Sequence, residues 1–158
     1  MLRLIERLLP PPLHRAGLQL AHGLRKRWWR LRKPLLTGVM VLGLDDAGRV
    51  LLVRHSYGAG MWTLPGGGLR KGEDPVRGAA REFAEELRCP FGPLAALGML
   101  EGTLHGAPNR MHVFACPVQG MPDPDGREIV EARFFAADAL PAHVGGRVAR
   151  ALALLQQR

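Results

Sequence analysis

Cysteine, tyrosine and long apolar runs are all scarce in this sequence. Its 158 residues include two cysteines and one tyrosine. Cys89 and Cys116 are far apart in the chain, which excludes a disulfide framework and a Cys-x-x-Cys zinc site. Two reduced thiols inside a core are typical of a cytoplasmic protein. No apolar run approaches the roughly 18 residues of a membrane-spanning helix, and no signal-peptide cleavage site is recognisable.

Acidic side chains are nearly absent from the beginning of the chain. Residues 1–34 carry nine Lys or Arg side chains and one glutamate, whereas residues 35–158 carry thirteen basic and thirteen acidic side chains. The whole net charge of +8 therefore lies in residues 1–34. This asymmetry predicts a basic N-terminal segment, residues 1–34, followed by a globular domain, residues 35–158.

The basic segment is expected to form an amphipathic helix, because apolar or small residues recur in it at steps of three and four. They are Leu13, Gly17, Leu20, Ala21, Leu24, Trp28, Leu31 and Leu35. One interpretation is that residues 13–35 pack on the domain or associate with a second subunit. The alternative is peripheral contact with an anionic membrane, at the inner face, since Trp and Leu opposite basic residues suit lipid headgroups. Nucleic acid is the least favoured partner.

The domain is predicted to contain a mixed sheet covered by helices. Two β-branched, apolar runs flank the turn at residues 45–48, which indicates a hairpin. Strands are expected at residues 36–44, 49–53, 61–64, 94–104, 111–118 and 130–136, and helices at residues 75–87 and 144–155. Asp74 is placed to cap the first of these helices, with Pro75 at its first helical position.

Three carboxylates share one side of that helix. At about 100° per residue, Glu82, Glu85 and Glu86 fall within an arc of about 100°. Like charges this close destabilise a helix, and a hard divalent cation with oxygen ligands would offset the repulsion. A solvated acidic face is the alternative. The glycines at residues 66–68, just upstream, favour a metal-diphosphate site, because their backbone can approach a phosphate or a metal closely.

Residues 67–89 read GGLRKGEDPVRGAAREFAEELRC, and this stretch resembles the signature of the Nudix hydrolases. The signature is Gly, five residues, Glu, seven residues, Arg-Glu, a bulky apolar residue, any residue, Glu-Glu, any residue, Gly and a bulky apolar residue. The residues in register with it are Gly67, Glu73, Arg81, Glu82, Phe83, Glu85, Glu86 and Cys89. Arg88 replaces the family's Gly, where a left-handed residue would close the helix at a cost of about 1 kcal/mol, so an altered helix exit is expected.

The resemblance implies an α/β fold, an α/β/α sandwich around a mixed sheet, to which the basic N-terminal helix is added. It also implies a hydrolase that uses Mg²⁺ or Mn²⁺ to direct water at phosphorus in a diphosphate. The residues that match the family's metal ligands are Gly67, through its carbonyl, and Glu82, Glu85 and Glu86. Glu82 further matches the residue that assists the attacking water, while Glu73 and Arg81 match an ion pair that orients loop and helix.

Residues outside the signature are candidates for the rest of the site. Glu128 lies in a segment that resembles the place where many family members carry an additional acid, so it is a candidate further metal ligand or catalytic base. Four residues are candidates for substrate binding, by phosphate pairing or by stacking. They are Arg54, Tyr57, Trp62 and Arg110. The histidines show no metal-ligand spacing on one helix.

The expected substrate is a small molecule, a nucleoside di- or triphosphate or a related nucleoside diphosphate. Alternatives are ADP-ribose or a nucleotide sugar, and a catalytically silent nucleotide-binding module. ADP-ribose hydrolases of the family tend to carry a proline where this chain has His105. Dinucleoside polyphosphate hydrolases tend to carry a tyrosine slightly farther on, where this chain has none. Since every signature residue lies beyond residue 34, removal of the basic segment is expected to leave turnover of a small substrate nearly unchanged.

Overall fold

A computed structural model describes residues 11–57, 59–124, 126 and 128–157. These residues form three helices and six strands in the following order along the chain: α1 (Pro11–Arg32), β1 (Leu36–Leu44), β2 (Val50–His55), β3 (Trp62–Thr63), α2 (Pro75–Leu87), β4 (Ala95–Leu104), β5 (Ala107–Pro117), β6 (Ile129–Phe135) and α3 (Gly146–Gln156). The predicted elements are therefore present, and the bounds of β1 and α2 agree with the prediction.

The six strands belong to one mixed sheet with the order β3-β2-β1-β5-β4, and β6 also pairs with β2. Strands β1 and β5 are parallel over nine residue pairs, whereas the other pairings are antiparallel. Strands β1 and β2 pair only at Leu44 and Val50, next to their turn. The two strands diverge beyond that point, which leaves one edge of β1 open to another segment.

Both faces of the sheet are covered, which confirms the α/β/α sandwich. On one face α2 contributes Ala79, Phe83 and Leu87 to a core with residues of β1, β2 and β5. On the other face α3 contributes Val148 and Ala151. All five of these side chains are fully buried. Burial of this kind stabilises the fold by about 1.5–3 kcal/mol for each large apolar side chain.

The start of α2 forms as the sequence indicates, whereas its end differs from the prediction. The Asp74 carboxylate accepts a hydrogen bond of 3.0 Å from the Arg77 backbone N–H, and Pro75 begins the helix. At the other end Arg88 has φ 48° and ψ 27°, in the left-handed region that favours glycine. Its N–H donates to the Ala84 carbonyl over 3.2 Å. The replacement of glycine by Arg88 therefore leaves the usual helix exit in place, and the expectation of an altered exit is wrong.

Strand β5 begins at Ala107, four residues before the predicted start. The reason is a two-residue turn in which His105 and Gly106 have φ of 51° and 85°. Positive φ at both central residues is the geometry that matches the twist of a hairpin. Pairing can therefore continue to Leu104 and Ala107, the last pair before the turn.

Helix α1 exposes the apolar stripe that the sequence places on it. Leu20, Leu24, Trp28 and Leu31 are 68%, 59%, 54% and 83% exposed. The helix contacts the domain through a different face, where the Trp29 ring stacks on His105 at 6.1 Å between centroids. The prediction that the stripe itself packs on the domain is therefore wrong for these residues. None of the described helices is long and apolar enough to cross a membrane.

Candidate active site

The glycine loop lies along the open edge of β1. The Val41 N–H donates to the Pro65 carbonyl and the Val39 N–H to the Gly67 carbonyl, both over 2.9 Å, and the Leu69 N–H donates to the Thr37 carbonyl over 3.1 Å. The loop thus takes the place beside β1 that β2 leaves when the two strands diverge. This pairing holds the loop backbone in a defined position in front of α2.

Glycine is required at two positions of the loop for different reasons. Gly66 has φ 138°, and a Cβ there would lie 2.2 Å from the Val39 carbonyl oxygen. A Cβ on Gly67 would lie 2.6 Å from Cδ of Glu82 and 2.7–2.8 Å from its two carboxylate oxygens. The Glu82 carboxylate therefore occupies the space that any larger residue at position 67 would need.

Glu86 is the most enclosed of the three helix carboxylates, with 7% of its surface exposed. One oxygen, Oε2, accepts a hydrogen bond of 2.9 Å from the Gly66 N–H. The other, Oε1, lies 3.6 Å from Nε2 of His55. Burial raises the pKa of Glu86, although the His55 ring and the Gly66 N–H oppose that increase.

Glu82 and Glu85 lie in different surroundings although they share one side of α2. The Arg81 Nη1 donates to Glu82 Oε1 over 2.7 Å, and burial raises the pKa of Glu82 more than Arg81 lowers it. Glu85 is half-exposed, with its oxygens 3.5 Å from Arg81 and 3.9 Å from Arg70. The three carboxylates thus form a gradient from enclosed Glu86 to solvent-facing Glu85.

Glu73 and Arg81 form a two-point ion pair between the loop and the helix. Arg81 Nε and Nη2 donate to the two carboxylate oxygens of Glu73 over 2.8 and 2.9 Å. The Arg70 N–H also donates to Glu73, over 2.8 Å. The Arg81 hydrogen bonds, followed by that of Arg70, lower the pKa of Glu73 to about 2. Because Arg81 also binds Glu82, the pair fixes that carboxylate relative to the loop.

Glu128 reaches the same region from the segment before β6. The Tyr57 hydroxyl donates to Glu128 Oε1 over 2.7 Å, and the Ser56 N–H donates to the Glu128 carbonyl over 2.8 Å. Burial raises the pKa of Tyr57 above its usual range, and the Glu128 charge adds to that increase. The charge of Glu128 also raises the pKa of Glu82 and of Glu86. Glu128 is thus linked to Glu86 through Tyr57, whose ring contacts the His55 ring at 5.1 Å between centroids.

A cavity of about 750 Å³ opens beside the glycine loop. Its walls include His55 and Tyr57 at the carboxylate end, the apolar side chains of Met40, Leu64 and Met111, and the first turn of α3. The opposite wall is formed by α1. A large cleft with mainly apolar walls and a few polar groups is the usual form of a small-molecule site.

Of the four predicted substrate-binding residues, Tyr57 lines this cavity. Arg54 lies 2.5 Å from Glu131 and 5.9 Å from the Trp62 ring, which packs edge-on against Phe135. Arg110 pairs with Glu101 over 2.9 Å on the β4–β5 hairpin. Substrate binding by these three residues stays a prediction.

Several cavity residues do not belong to any motif that the sequence shows. They are Arg25, Lys26, Trp29, His55, Asn109 and Arg147. The spacing of Arg25 and Trp29, one helical turn apart, was the available signal for a shared face. Nothing local indicates what that face contacts, since its partner on the β4–β5 turn lies more than 70 residues later in the chain.

The described part of the chain contains no group of three or more His, Cys, Asp or Glu side chains that could hold a metal ion by themselves. The oxygen donors present are the Glu82 and Glu86 carboxylates, which lie against the backbone of Gly67 and Gly66. Magnesium is usually bound through one or two carboxylates plus substrate phosphates and waters, not by an all-protein cage. The donor set fits such a shared site.

Comparisons with known proteins agree with this geometry. The NUDIX domain family model matches residues 34–155. A MutT NUDIX hydrolase from Burkholderia pseudomallei is 25% identical, with a TM-score of 0.70 over 77% of this chain and 98% of that chain.

Two further structures share the fold at lower identity. An ADP-ribose pyrophosphatase from Streptococcus suis is 21% identical, with a TM-score of 0.61 over 77% of this chain and 90% of that chain. An Ap4A hydrolase from C. elegans is 19% identical, with a TM-score of 0.66 over 77% of this chain and 96% of that chain.

Proposed function

The chain belongs to the NUDIX family of hydrolases, and from that premise we propose that it cleaves a diphosphate linkage in a nucleoside di- or triphosphate or a related nucleoside diphosphate, with Mg²⁺ or Mn²⁺ as cofactor. One observation carries the proposal: the Glu82 carboxylate lies against the Gly67 backbone, beside the buried Glu86 carboxylate. That arrangement supports cation-assisted attack of water on a bound diphosphate.

The cation would be held by the Glu82, Glu85 and Glu86 carboxylates and the Gly67 carbonyl. The close approach of the Gly67 backbone to the Glu82 carboxylate supports this assignment, although the Gly67 carbonyl also accepts a hydrogen bond from the Val39 N–H. Burial raises the pKa of Glu82 and of Glu86, and a cation beside them would favour their ionised forms. When bound, a divalent cation neutralises charge on the diphosphate and lowers the pKa of a bound water.

Proton transfer is assigned to the carboxylates of this site. Glu82 is the proposed acceptor for the proton of the attacking water, since a carboxylate within hydrogen-bond reach of that water can take its proton. Arg81 and Glu73 hold that carboxylate in position through their shared hydrogen bonds. Glu128, positioned by Tyr57, is the further ligand or base.

The alternatives are weaker for stated reasons. An ADP-ribose or nucleotide-sugar pyrophosphatase is the second candidate. The similarity to the Streptococcus suis structure supports a shared fold and nothing further. A catalytically silent module would not need to keep all four carboxylates together with the Glu73–Arg81 pair. The proposal therefore stays with hydrolysis of nucleoside di- and triphosphates.

We expect water to attack phosphorus. The full-length protein, incubated with Mg²⁺ and a panel of nucleoside di- and triphosphates, ADP-ribose and dinucleotides in ¹⁸O-labelled water, should release a phosphate product that carries the label. Mass spectrometry identifies both the labelled atom and the bond cleaved. Addition of EDTA should abolish turnover. Label found only on a sugar carbon would contradict the mechanism, and turnover of ADP-ribose alone would favour the second candidate.

We place the protein in the cytoplasm, on the basis of its thiols. Cys89 and Cys116 are free and buried. Burial raises the pKa of both thiols, that of Cys116 to about 12, which keeps them protonated and unreactive.

The exposed stripe of α1 supports a second proposal, that residues 13–35 contact the inner face of an anionic membrane. Its Leu and Trp side chains are more than half exposed, and the same helix carries Arg27, Arg30 and Arg32. Apolar side chains insert at the headgroup level while basic groups pair with anionic lipids. Self-association through the stripe is the competing outcome.

Co-sedimentation with phosphatidylglycerol vesicles tests this second proposal. The protein should sediment with these vesicles and not with phosphatidylcholine vesicles, and added salt should weaken the binding. Leu24→Ser with Leu31→Ser should lower the partition coefficient at least about 10-fold, since each buried Leu contributes about 1.5–3 kcal/mol. Met121→Ser is the matched control, because Met121 is 82% exposed and lies outside α1. A wild-type dimer that the double substitution dissociates, with no vesicle binding, would favour self-association.

A further inference from the structure

The cavity beside the glycine loop is closed on one side by residues outside the NUDIX match. Arg25, Lys26 and Trp29 of α1 line it, whereas the match begins at residue 34. The carboxylate site adjoins the same cavity, which is lined by the glycine loop, His55 and Tyr57 but not by the carboxylates themselves. A substrate bound at the carboxylates would therefore extend toward α1.

Contacts with the β4–β5 turn hold α1 in this position. The rings of Trp29 and His105 stack at an interplanar angle of 14°. The Arg25 guanidinium lies over the same Trp29 ring, 5.4 Å from its centroid. A Cβ built on Gly106 would lie 3.8 Å from Cγ of Arg30. Lys26 and Trp29 are half-buried, whereas the adjacent Trp28 is 54% exposed.

Positive charge is concentrated at the turn end of the cavity. Lys26 of α1 and Arg147 of α3 both line it, beside His105 of the β4–β5 turn. Arg147 Nη2 donates to the Thr103 carbonyl over 3.4 Å, two residues before His105. Burial lowers the pKa of His105, and the charges of Lys26, Arg30 and Arg147 add to that decrease. Like charges repel at such distances, and an anionic group of a ligand would offset the repulsion.

The two ends of the cavity are well separated. Gly68 bridges to Gly38 of β1, which pairs with Met111 of β5, and Gly106, the second residue of the turn, lies five residues before Met111. At about 3.3 Å per residue, the backbone of the turn is about 17 Å from Met111 along β5. Lys26 and Arg147 at the turn can therefore pair with an anionic group other than the diphosphate at the glycine loop.

We infer that α1 completes the substrate site, and that the substrate carries a further phosphate, remote from the scissile diphosphate. This phosphate binds between Lys26 and Arg147, and Trp29 packs on the organic group of the substrate. The inference rests on the proposed function, because that function determines where the diphosphate binds. It specifies the substrate class as a nucleoside diphosphate derivative with an additional phosphate. Removal of the basic segment then weakens substrate binding, contrary to the expectation from sequence that the segment is dispensable.

Binding of matched nucleotides tests this inference without requiring turnover. Isothermal titration of the full chain compares adenosine 3′,5′-bisphosphate with AMP, and guanosine 3′,5′-bisphosphate with GMP. At least one bisphosphate should bind about 10-fold more tightly than its monophosphate. Lys26→Gln and Arg147→Gln should each remove most of that preference. Arg27→Gln, which changes an exposed neighbour outside the cavity, should leave it unchanged.

The adjacent tryptophans provide a second matched pair. Trp29→Ala should weaken binding of the bisphosphate and the monophosphate alike by about 10-fold, the scale of a lost base–aromatic contact. Trp28→Ala should change neither. Equal affinity of the wild-type protein for mono- and bisphosphate in both pairs, or no binding of any of the four, would overturn the inference.

The two proposals fail in different ways. Hydrolysis in the nucleotide panel without any bisphosphate preference would leave the proposed function standing and overturn the role of α1. A bisphosphate preference that depends on Lys26 and Arg147, without any hydrolysis, would support the role of α1 and overturn the proposed function. Should Trp29→Ala fail to fold, the Lys26→Gln and Arg27→Gln pair decides the matter by itself.

Discussion

Glu86→Gln is expected to lower kcat at least about 100-fold while the protein stays as stable as the wild type or becomes more stable. Glutamine keeps the shape of the side chain and its acceptor for the Gly66 N–H, but it removes the negative charge from the proposed metal site. Loss of one preorganised electrostatic contact typically costs 10²–10³-fold in rate, about 2.7–4 kcal/mol.

The stability half of this expectation follows from the pKa of Glu86. Burial raises the pKa of this carboxyl in the folded state, so ionisation at neutral pH opposes folding. A neutral amide removes that penalty. If Glu86 binds the metal, Glu86→Gln should have opposite effects on activity and on stability. If Glu86 has a purely structural role, the same substitution should lower the melting temperature.

Steady-state kinetics at saturating Mg²⁺ and thermal melting of the same samples measure both effects. Glu85→Gln should also lower kcat, and by less than Glu86→Gln, since Glu85 is half-exposed. Glu101→Gln is the matched control, because that carboxylate is exposed and pairs with Arg110 on the β4–β5 hairpin. Unchanged kcat in Glu85→Gln and Glu86→Gln would remove both residues from the metal site.

Gly67→Ala is expected to reduce kcat by about 100-fold with little effect on folding. The added Cβ would lie 2.6 Å from Cδ of Glu82, so the carboxylate must move away from the loop. A displacement of about 1 Å in a catalytic group is enough to cost about 100-fold in rate. The backbone itself tolerates the change, because Gly67 does not have a positive φ.

Gly68→Ala supplies the control within the same loop. Gly68 has no positive φ either, and no atom lies within 4 Å of a Cβ built on it. This variant should keep kcat within about 3-fold of the wild type. Equal activity of the two alanine variants would show that the contact between position 67 and Glu82 is unimportant for turnover. A melting temperature lowered in Gly67→Ala alone would instead assign the contact a structural role.

The sequence by itself determined the features that depend on near neighbours. The carboxyl group of Asp74 and the ring of Pro75 set the start of α2, and Arg88 takes the left-handed conformation that ends it. The helical repeat alone places Glu82, Glu85 and Glu86 on one side. Alternation and turn residues likewise determine β1 and its turn into β2. These features follow from local geometry, which residues a few positions apart fully specify.

The tertiary structure decided which surfaces meet. The glycine loop pairs with β1 because β2 diverges from it, and Glu128 reaches Tyr57 across 71 residues of sequence. The stripe of α1 predicts an amphipathic helix, yet its Leu side chains face outward and Trp29 faces the cavity. Such contacts depend on the free energy of packing distant segments, which helical or strand periodicity does not encode. Local spacing therefore determines the arrangement of carboxylates on α2, and long-range packing determines the cavity that adjoins them.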